Sequence, residues 1–592
     1  MSTGAPSQPF QMKRHVSVTI LLPLLCLSVF LKVGWCAAGT FTWTGSVSSD
    51  WFTANNWAPV GVPGSSDTIN VTNGTINLTS SISINGSLNW SGGALSGNPL
   101  TIESGAVMNI SGNVSLENVL TNSGTVTMTG IAGVTVYNNT TSYPGGVYNL
   151  AGALWDIQTN ATISCGICAG HEFFNNAGVF RKSQGSGTTT IAVPFTNIST
   201  VTNLSGVLSF NDGGTLGGTF DTASGATIYF ASGSFTMGAP PAIDGSGLCE
   251  FTGGTLTLTQ DVPANLLLAG GNLVLGPAFQ NQGGITNLTL SGSTLPGTNI
   301  VTGSFTWSGG TVTGPLTIES GAVMNISGNV SLENVLTNSG TVTMTGTAGV
   351  TVYNNTTSYL GGVYNLAGAL WDIQTNANIS CGICTGHEFF NNAGVFRKSQ
   401  GSGTATISVP FTNTAMVNAL AGTLSFNGSF TTAGGTLAFG VSGLSSFGQI
   451  NVSGNVALSG TASVAWLGGF TPAIGNSFAL LDYGSHTGTF ASIALPAGTT
   501  GQANYGATVF SLLITAISSQ TNPPVLSVEL VNPNTVAILW PTSVGNFALQ
   551  TSAGLSSGSW STVSSGIVTV GTNYVLTTAA NGGAAFFRLK SQ

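Results

Sequence analysis

Four asparagines stand 27 residues apart, at Asn122, Asn149, Asn176 and Asn203. Each opens a turn that runs through Gly into a short β-branched or aromatic strand: NSG-TVTM, NLAG-ALWDI, NAG-VFRKS and NLSG-VLSF. A fixed period of this size predicts a solenoid, in which each unit buries its apolar face only by stacking on the next. The strands alternate with period two and carry Gly, Asn and Thr where a helical repeat needs Ala, Leu, Glu and Lys. The spacing therefore predicts an all-β chain built as a right-handed parallel β-helix, with Gly and Asn at positive-φ corners and like residues stacked along the axis.

A second set stands at Asn338, Asn365, Asn392 and Asn418, with spacings of 27, 27 and 26, and its first three members recur because a whole block is duplicated. Residues 100–197 return as 316–413 with a constant offset of 216 and six differences in 98 positions. These are Ile131/Thr347, Pro144/Leu360, Thr162/Asn378, Ala169/Thr385, Thr189/Ala405 and Ala192/Ser408. Two copies this similar must share one backbone.

Composition agrees with strands and turns. Charged residues are 4% of the chain, against about 25% in ordinary soluble domains. Apolar residues are 42%, too many for a disordered polar segment. Lys13, Arg14 and His15, the apolar run 16–31 and Cys36-Ala37-Ala38 read as a secretory signal over 1–38. Membrane contact is expected only through this segment if it stays uncleaved. Beyond it stand six basic and 17 acidic residues, net −11. Nucleic acid is excluded as a partner, since phosphate binding needs clustered Lys and Arg.

The expected layout is a cap with first coils over 39–99, a β-helix over 100–424, and a β-rich end over 425–519. A QTNPP linker at 520–524 and a small β-sandwich over 525–592 follow. Trp43, Trp51 and Trp57 read as a hydrophobic cap on the first coil, the alternative being a sugar-stacking platform. In the last module Trp540, Leu549, Trp560 and Phe587 are the expected core.

GQINVSGNVALSG, FTPAIGNSFALLDY and TGTF between Gly448 and Phe490, and WTGSVSSDW near the start, resemble secreted bacterial β-helix proteins of the autotransporter-passenger type. The Phe-Arg-Leu ending resembles the C-terminal module of many secreted bacterial proteins. The residues after the linker are too few for a translocator barrel. These resemblances imply an extracellular or cell-surface architecture and no activity.

The sharpest local pattern is CGIC-x-GHE: Cys165, Cys168, His171 and Glu172, and again Cys381, Cys384, His387 and Glu388. Three chemistries fit. An exported chain favours a disulfide, Cys165–Cys168 and Cys381–Cys384. Two thiolates and an imidazole supply three zinc ligands. A thioredoxin-like redox pair is the third, without the βαβ setting that activates it. Cys249 is left unpaired. Aligning successive coils on their Gly places Trp155 over Arg181 and Asp156 over Lys182, and Trp371 over Arg397 and Asp372 over Lys398. That stacking is either a lateral ladder or, through Trp155, Arg181, Trp371 and Arg397, a ligand patch.

No catalytic residue is assigned and no cofactor is called for. The carboxylates are scattered, with no nucleophile elbow, P-loop or zinc-hydrolase motif. The expected role is a secreted or cell-surface structural or adhesive protein that binds a glycan or matrix partner weakly and repeatedly. The alternative is a polysaccharide lyase or hydrolase on the same scaffold, which needs two acidic side chains converging in one groove.

Overall fold

The computed structural model describes residues 38–518, 524–543, 547–554, 560–580 and 585–591. The signal-peptide reading, apart from Ala38, and most of the proposed linker lie outside the described residues. The chain is nearly all β and forms a parallel β-solenoid of about 19 turns with additional sheets toward its C-terminus. It divides into two compact units at Phe173/Phe174. Among the described residues no helix is long and apolar enough to cross a membrane.

In the first unit the coils have three strands, one on each face. Thr68–Val71, Ser87–Trp90, Val107–Ile110 and Thr125–Met128 stack in parallel on one face. Gly93–Gly97, Asn113–Leu116, Gly133–Val136 and Thr162–Cys165 stack on the second. Ile82–Ile84, Leu100–Ile102, Val119–Asn122 and Gly146–Asn149 make the third. Alternate side chains point inward, so Leu88, Met108 and Val126 form one fully buried column. Each such aliphatic contributes roughly 1.5–3 kcal/mol by leaving water. The outward partners form a second column, in which the Asn89 amide donates to Asn70 (2.8 Å) and that of Asn109 to Asn89 (2.9 Å).

The first coil is closed by its tryptophans. Thr40–Trp43 takes Trp57–Ala58 as an antiparallel partner on its free edge, which blocks further strand pairing there. Trp43, Trp51 and Trp57 are 1–3% exposed and meet edge to face at 4.7–5.0 Å. They cap the core and present no ring face for stacking on a sugar.

The second unit repeats this plan. Its columns through the second copy are Leu316–Ile318, Val335–Asn338, Gly362–Asn365, Phe390–Asn392 and Phe411–Asn413, with equivalent columns on the other faces. Ahead of the copy, the nine-residue strand Asn299–Trp307 pairs with Leu316–Ile318 through its first half and Val323–Ile326 through its second. It carries two faces into one sheet. The array ends where Ser477–Gly488 takes Val509–Ile517, and that strand takes Thr499–Tyr505, both antiparallel.

The corner asparagines explain the repeat and correct its period. The Asn338 amide donates to Asn365 (2.8 Å), Asn365 to Asn392 (2.7 Å) and Asn392 to Asn413 (2.8 Å). Each also donates to the carbonyl that opens a strand in the next coil, as Asn338 does to Leu370 (3.1 Å). The Asn338 carbonyl in turn accepts the Gly340 N–H at 3.0 Å. All four are at most 1% exposed. The fourth rung is Asn413, not Asn418, which lies on another face opposite Arg397. In the first copy the Asn176 amide likewise donates to Asn197, while Asn203 pairs with Lys182. The ordinary coil is shorter than 27 residues: Thr68, Ser87, Val107 and Thr125 succeed one another at steps of 18–20. The 27-residue steps arise because loops are inserted into particular coils. Gly340 follows for a steric reason, since a Cβ there would lie 2.4 Å from the carbonyl oxygens of Glu319 and Ala322 in the coil beneath.

The C-terminal module is a sandwich of a four-stranded and a three-stranded antiparallel sheet. Ile538, Trp540, Leu549 and Leu576 form its centre, with Phe587 packed against it. Trp560, expected in that core, is instead half-exposed, with the Arg588 guanidinium 4.3 Å over its ring. Arg588 is held there by two hydrogen bonds to the Gln550 side-chain oxygen, at 2.9 and 3.0 Å.

If the ladder stabilises the corners, Asn413→Ala should cost about 1–3 kcal/mol, since it strands buried polar partners. Asn418→Ala should cost less than half of that. Hydrogen exchange of the flanking strand amides measures both, and equal costs would count against Asn413 as the fourth rung.

Candidate functional site

The coils that break the 18–20-residue rule contain two insertions that stack on each other. In the first unit, Gly133–Val136 and Thr162–Cys165 are paired through Val136 and Cys165. The loops that leave them, 137–145 and 166–173, therefore emerge one above the other and form a lateral lobe. Residues 353–361 and 382–389 build the same lobe in the second unit.

The first loop is an asparagine-organised turn. The Asn139 side-chain oxygen accepts the N–H groups of Thr141, Ser142 and Tyr143 at 2.8–3.1 Å. Asn138 spans the loop base by donating to Gly145 at 2.9 Å. The second loop is the CGIC turn, and its cysteines are disulfide-bonded, Cys165 to Cys168 and Cys381 to Cys384. Cys168 and Cys384 have φ of +58°. That left-handed turn aims the N–H groups of Ile167 and Cys168 at the Glu172 carboxylate, 3.2 and 2.9 Å away. Ile383 and Cys384 do the same for Glu388, at 3.3 and 2.8 Å. Burial pushes the Glu172 pKa up, but its backbone donors outweigh this and hold it below the usual glutamate value. Gly166 and Gly382 allow the loops to touch, since a Cβ on either would lie 2.4 Å from the Tyr137 or Tyr353 ring.

Each lobe carries four aromatic rings. Tyr137 and Tyr143 lie 6.2 Å apart, and Tyr148 and Phe173 4.9 Å apart. The second lobe has Tyr353 and Tyr359 at 5.8 Å and Tyr364 and Phe389 at 4.9 Å. Tyr148 and Tyr364 remain 39% and 40% exposed, large for rings that could have turned inward. One of the six differences between the copies acts here: the Thr385 hydroxyl donates to the Asn354 carbonyl at 2.8 Å, a tie that Ala169 does not make.

These contacts limit the chemistry. The cysteines are joined, and Glu172 and Glu388 are committed to backbone amides. Only the exposed imidazoles of His171 and His387 are left of the expected ligand set. Among the described residues no three His, Cys, Asp or Glu side chains are placed to hold a metal ion. Cys249 is a free buried thiol whose pKa is pushed up to about 12 by burial and the neighbouring Glu250 charge.

The Trp–Arg stacking does not form in the second copy. Trp371 pairs with Phe396, Asp372 with Arg397 and Ile373 with Lys398, one residue away from the glycine-based alignment. The turn after Asn365 has two more residues than that after Asn392, so aligning on glycine misplaces the strand. Period-two alternation then puts Trp371 inward with Phe396 and Arg397 outward with Asp372. Trp155 and Trp371 are fully buried, each donating its indole N–H to a Met sulfur at 3.3 Å, Met128 and Met344. Neither indole offers a face to a ligand. Arg181 is half-buried on Val179–Lys182. Arg397 makes a forked pair with the buried Asp372 carboxylate at 2.7 and 3.0 Å. Lys398 points inward, fully buried, and its ammonium donates to the carbonyls of Thr375 and Gln400 and the side chain of Asn376 at 2.7–3.3 Å.

Two clefts, of about 450 and 420 Å³, flank the loop 276–284. One carboxylate lines each, Glu319 in the larger and Asp261 in the smaller. Neither cleft therefore assembles from its own walls the carboxylate pair of a glycosidase.

The sequence pattern picked out the cysteines and Glu172 and Glu388, but not the role of these carboxylates as acceptors for the turn amides, and it passed over the lobe aromatics. The signal was available in coil length, because a step of 27–29 residues exceeds a three-strand coil by a whole loop. Comparison of the chain with protein-family models and with curated proteins finds no match.

Arg397→Met should destabilise the second unit by about 1–3 kcal/mol, less than a fully enclosed pair because the guanidinium is one-third exposed. Burial raises the Asp372 pKa, but hydrogen bonds from Arg397 and Gln374 bring it below the ordinary 3.8. Its contribution is thus complete above that value and is lost as pH falls through the lowered one. Melting curves from neutral to acidic pH should show this acid-dependent loss in the parent, and a smaller one in Arg397→Met.

Proposed function

We propose that this chain is a secreted or cell-surface structural and adhesive protein whose lobes bind glycans weakly and multivalently. One observation carries the reading: the same partly exposed Tyr–Phe pair, Tyr148–Phe173 and Tyr364–Phe389, recurs in both copies, the Phe at the end of a disulfide-stapled loop and the Tyr on the strand that follows the neighbouring loop. Rigid aromatic faces are large contact surfaces that lose little conformational entropy on binding. Beside Tyr364, a shallow depression of about 320 Å³ is lined by Asn391, Thr412 and Thr414. These are the amide and hydroxyl partners that sugar hydroxyls use. Duplication supplies the second site that multivalent binding needs. The secretory pattern at residues 13–38, the disulfides and the passenger-type resemblance support an extracellular setting.

The test is a glycan-array screen of the exported protein, with and without reductant. Tyr148→Ala with Tyr364→Ala should abolish array binding. Either substitution alone should leave only monovalent binding, about 10²-fold weaker at high glycan density. Reduction should weaken binding by releasing the CGIC turns. Array signals unchanged in the double variant would sink the proposal.

A further inference from the structure

The two clefts beside the loop 276–284 lie in the second unit, away from the lobe aromatics in their linings, and nothing in the lobe reading uses them. The loop between them is strained and firmly held. Gln280 and Gln282 have φ of +44° and +51°, and Asn265 on the smaller cleft has +66°. Non-glycine residues in this conformation are strained and cluster at ligand clamps. Phe279 anchors the loop in the core. The Gln280 side chain pins it from outside, donating to Asp261 (2.7 Å) and the Asn287 carbonyl (2.6 Å) and accepting the Thr286 N–H (2.7 Å). The ridge leaves Asn281 and Gln282 facing one cleft and Gln280 facing the other.

We infer that this ridge and its two clefts bind an extended neutral polysaccharide chain, resting on the glycan reading above but at a site separate from the lobes. Each volume is of the size that holds a small ligand. A ligand that touches both must cross the ridge, which selects an oligomer over a single sugar. The walls offer amides and a hydroxyl from Asn281, Gln282 and Thr302, with the Glu319 carboxylate at the edge. No Lys, Arg or His lines either cleft. Uronate, sulfate and phosphate groups would meet Asp261 or Glu319 with no compensating cation, so acidic polysaccharides are rejected.

Titration calorimetry of the exported protein with cellohexaose and with hexagalacturonate tests this. Cellohexaose should bind and hexagalacturonate should not. Gln282→Gly removes a side chain while relieving its backbone strain, and should weaken cellohexaose about three- to tenfold, the worth of a hydrogen bond or so. Glu319→Gln should fold normally and gain measurable affinity for hexagalacturonate. In a Tyr148→Ala, Tyr364→Ala background, which removes the lobe sites, cellohexaose should still bind at the clefts. Absent cellohexaose binding, equal affinity for the two sugars, or affinity indifferent to Gln282→Gly would overturn the cleft inference. Loss of cellohexaose in the tyrosine variant alone would overturn it and leave the lobe reading standing. Loss of array binding without loss of cellohexaose would separate the two sites.

Discussion

The buried amide of one asparagine per coil is the interaction on which the second-copy coils depend. A solenoid must turn its backbone at every corner, and each turn leaves polar groups inside with no strand partner. Asn338, Asn365 and Asn392 answer this by donating twice, to the next asparagine and to the carbonyl that starts a strand in the next coil, and Asn413 ends the ladder by accepting from Asn392. A low-dielectric setting makes such a chain strong when complete and costly when broken. The apolar columns supply most of the burial energy, but they tolerate sliding. The ladder does not, because an amide moved by one residue loses both acceptors.

That fixed corner is what lets the coil vary elsewhere. Between one asparagine and the next, the chain must only return to the same place, so a loop can be added without disturbing the stack. The lobes use this freedom at one corner. Their internal bonds are local: a disulfide across three residues, a carboxylate on two N–H groups, and an asparagine capping its own turn. Their shape owes little to the solenoid core, and their placement owes everything to it.

Strain follows the same division. Of the eight described non-glycine residues at positive φ, four lie in the lobes and three beside the clefts, with Ala433 the exception. The regular coils place glycine at such corners. Left-handed backbone at Thr140, Cys168, Thr356 and Cys384, and at Asn265, Gln280 and Gln282, marks segments held by specific side-chain contacts rather than by pairing.

Much of the architecture was legible in the chain itself. Period-two alternation with repeated Asn-Gly corners leaves no packing except a parallel stack, because each strand has one apolar side and no hairpin partner. The tryptophan cap and the paired cysteines could be read in the same way, from residue type and spacing. Register could not. Whether Asp372 meets Lys398 or Arg397, and whether Asn413 or Asn418 is the fourth rung, depends on how many residues each turn consumes. Only the closed coil sets that number. The lobes and clefts are tertiary for the same reason: they exist where the loops of successive coils coincide, and linear spacing does not record which loops those are.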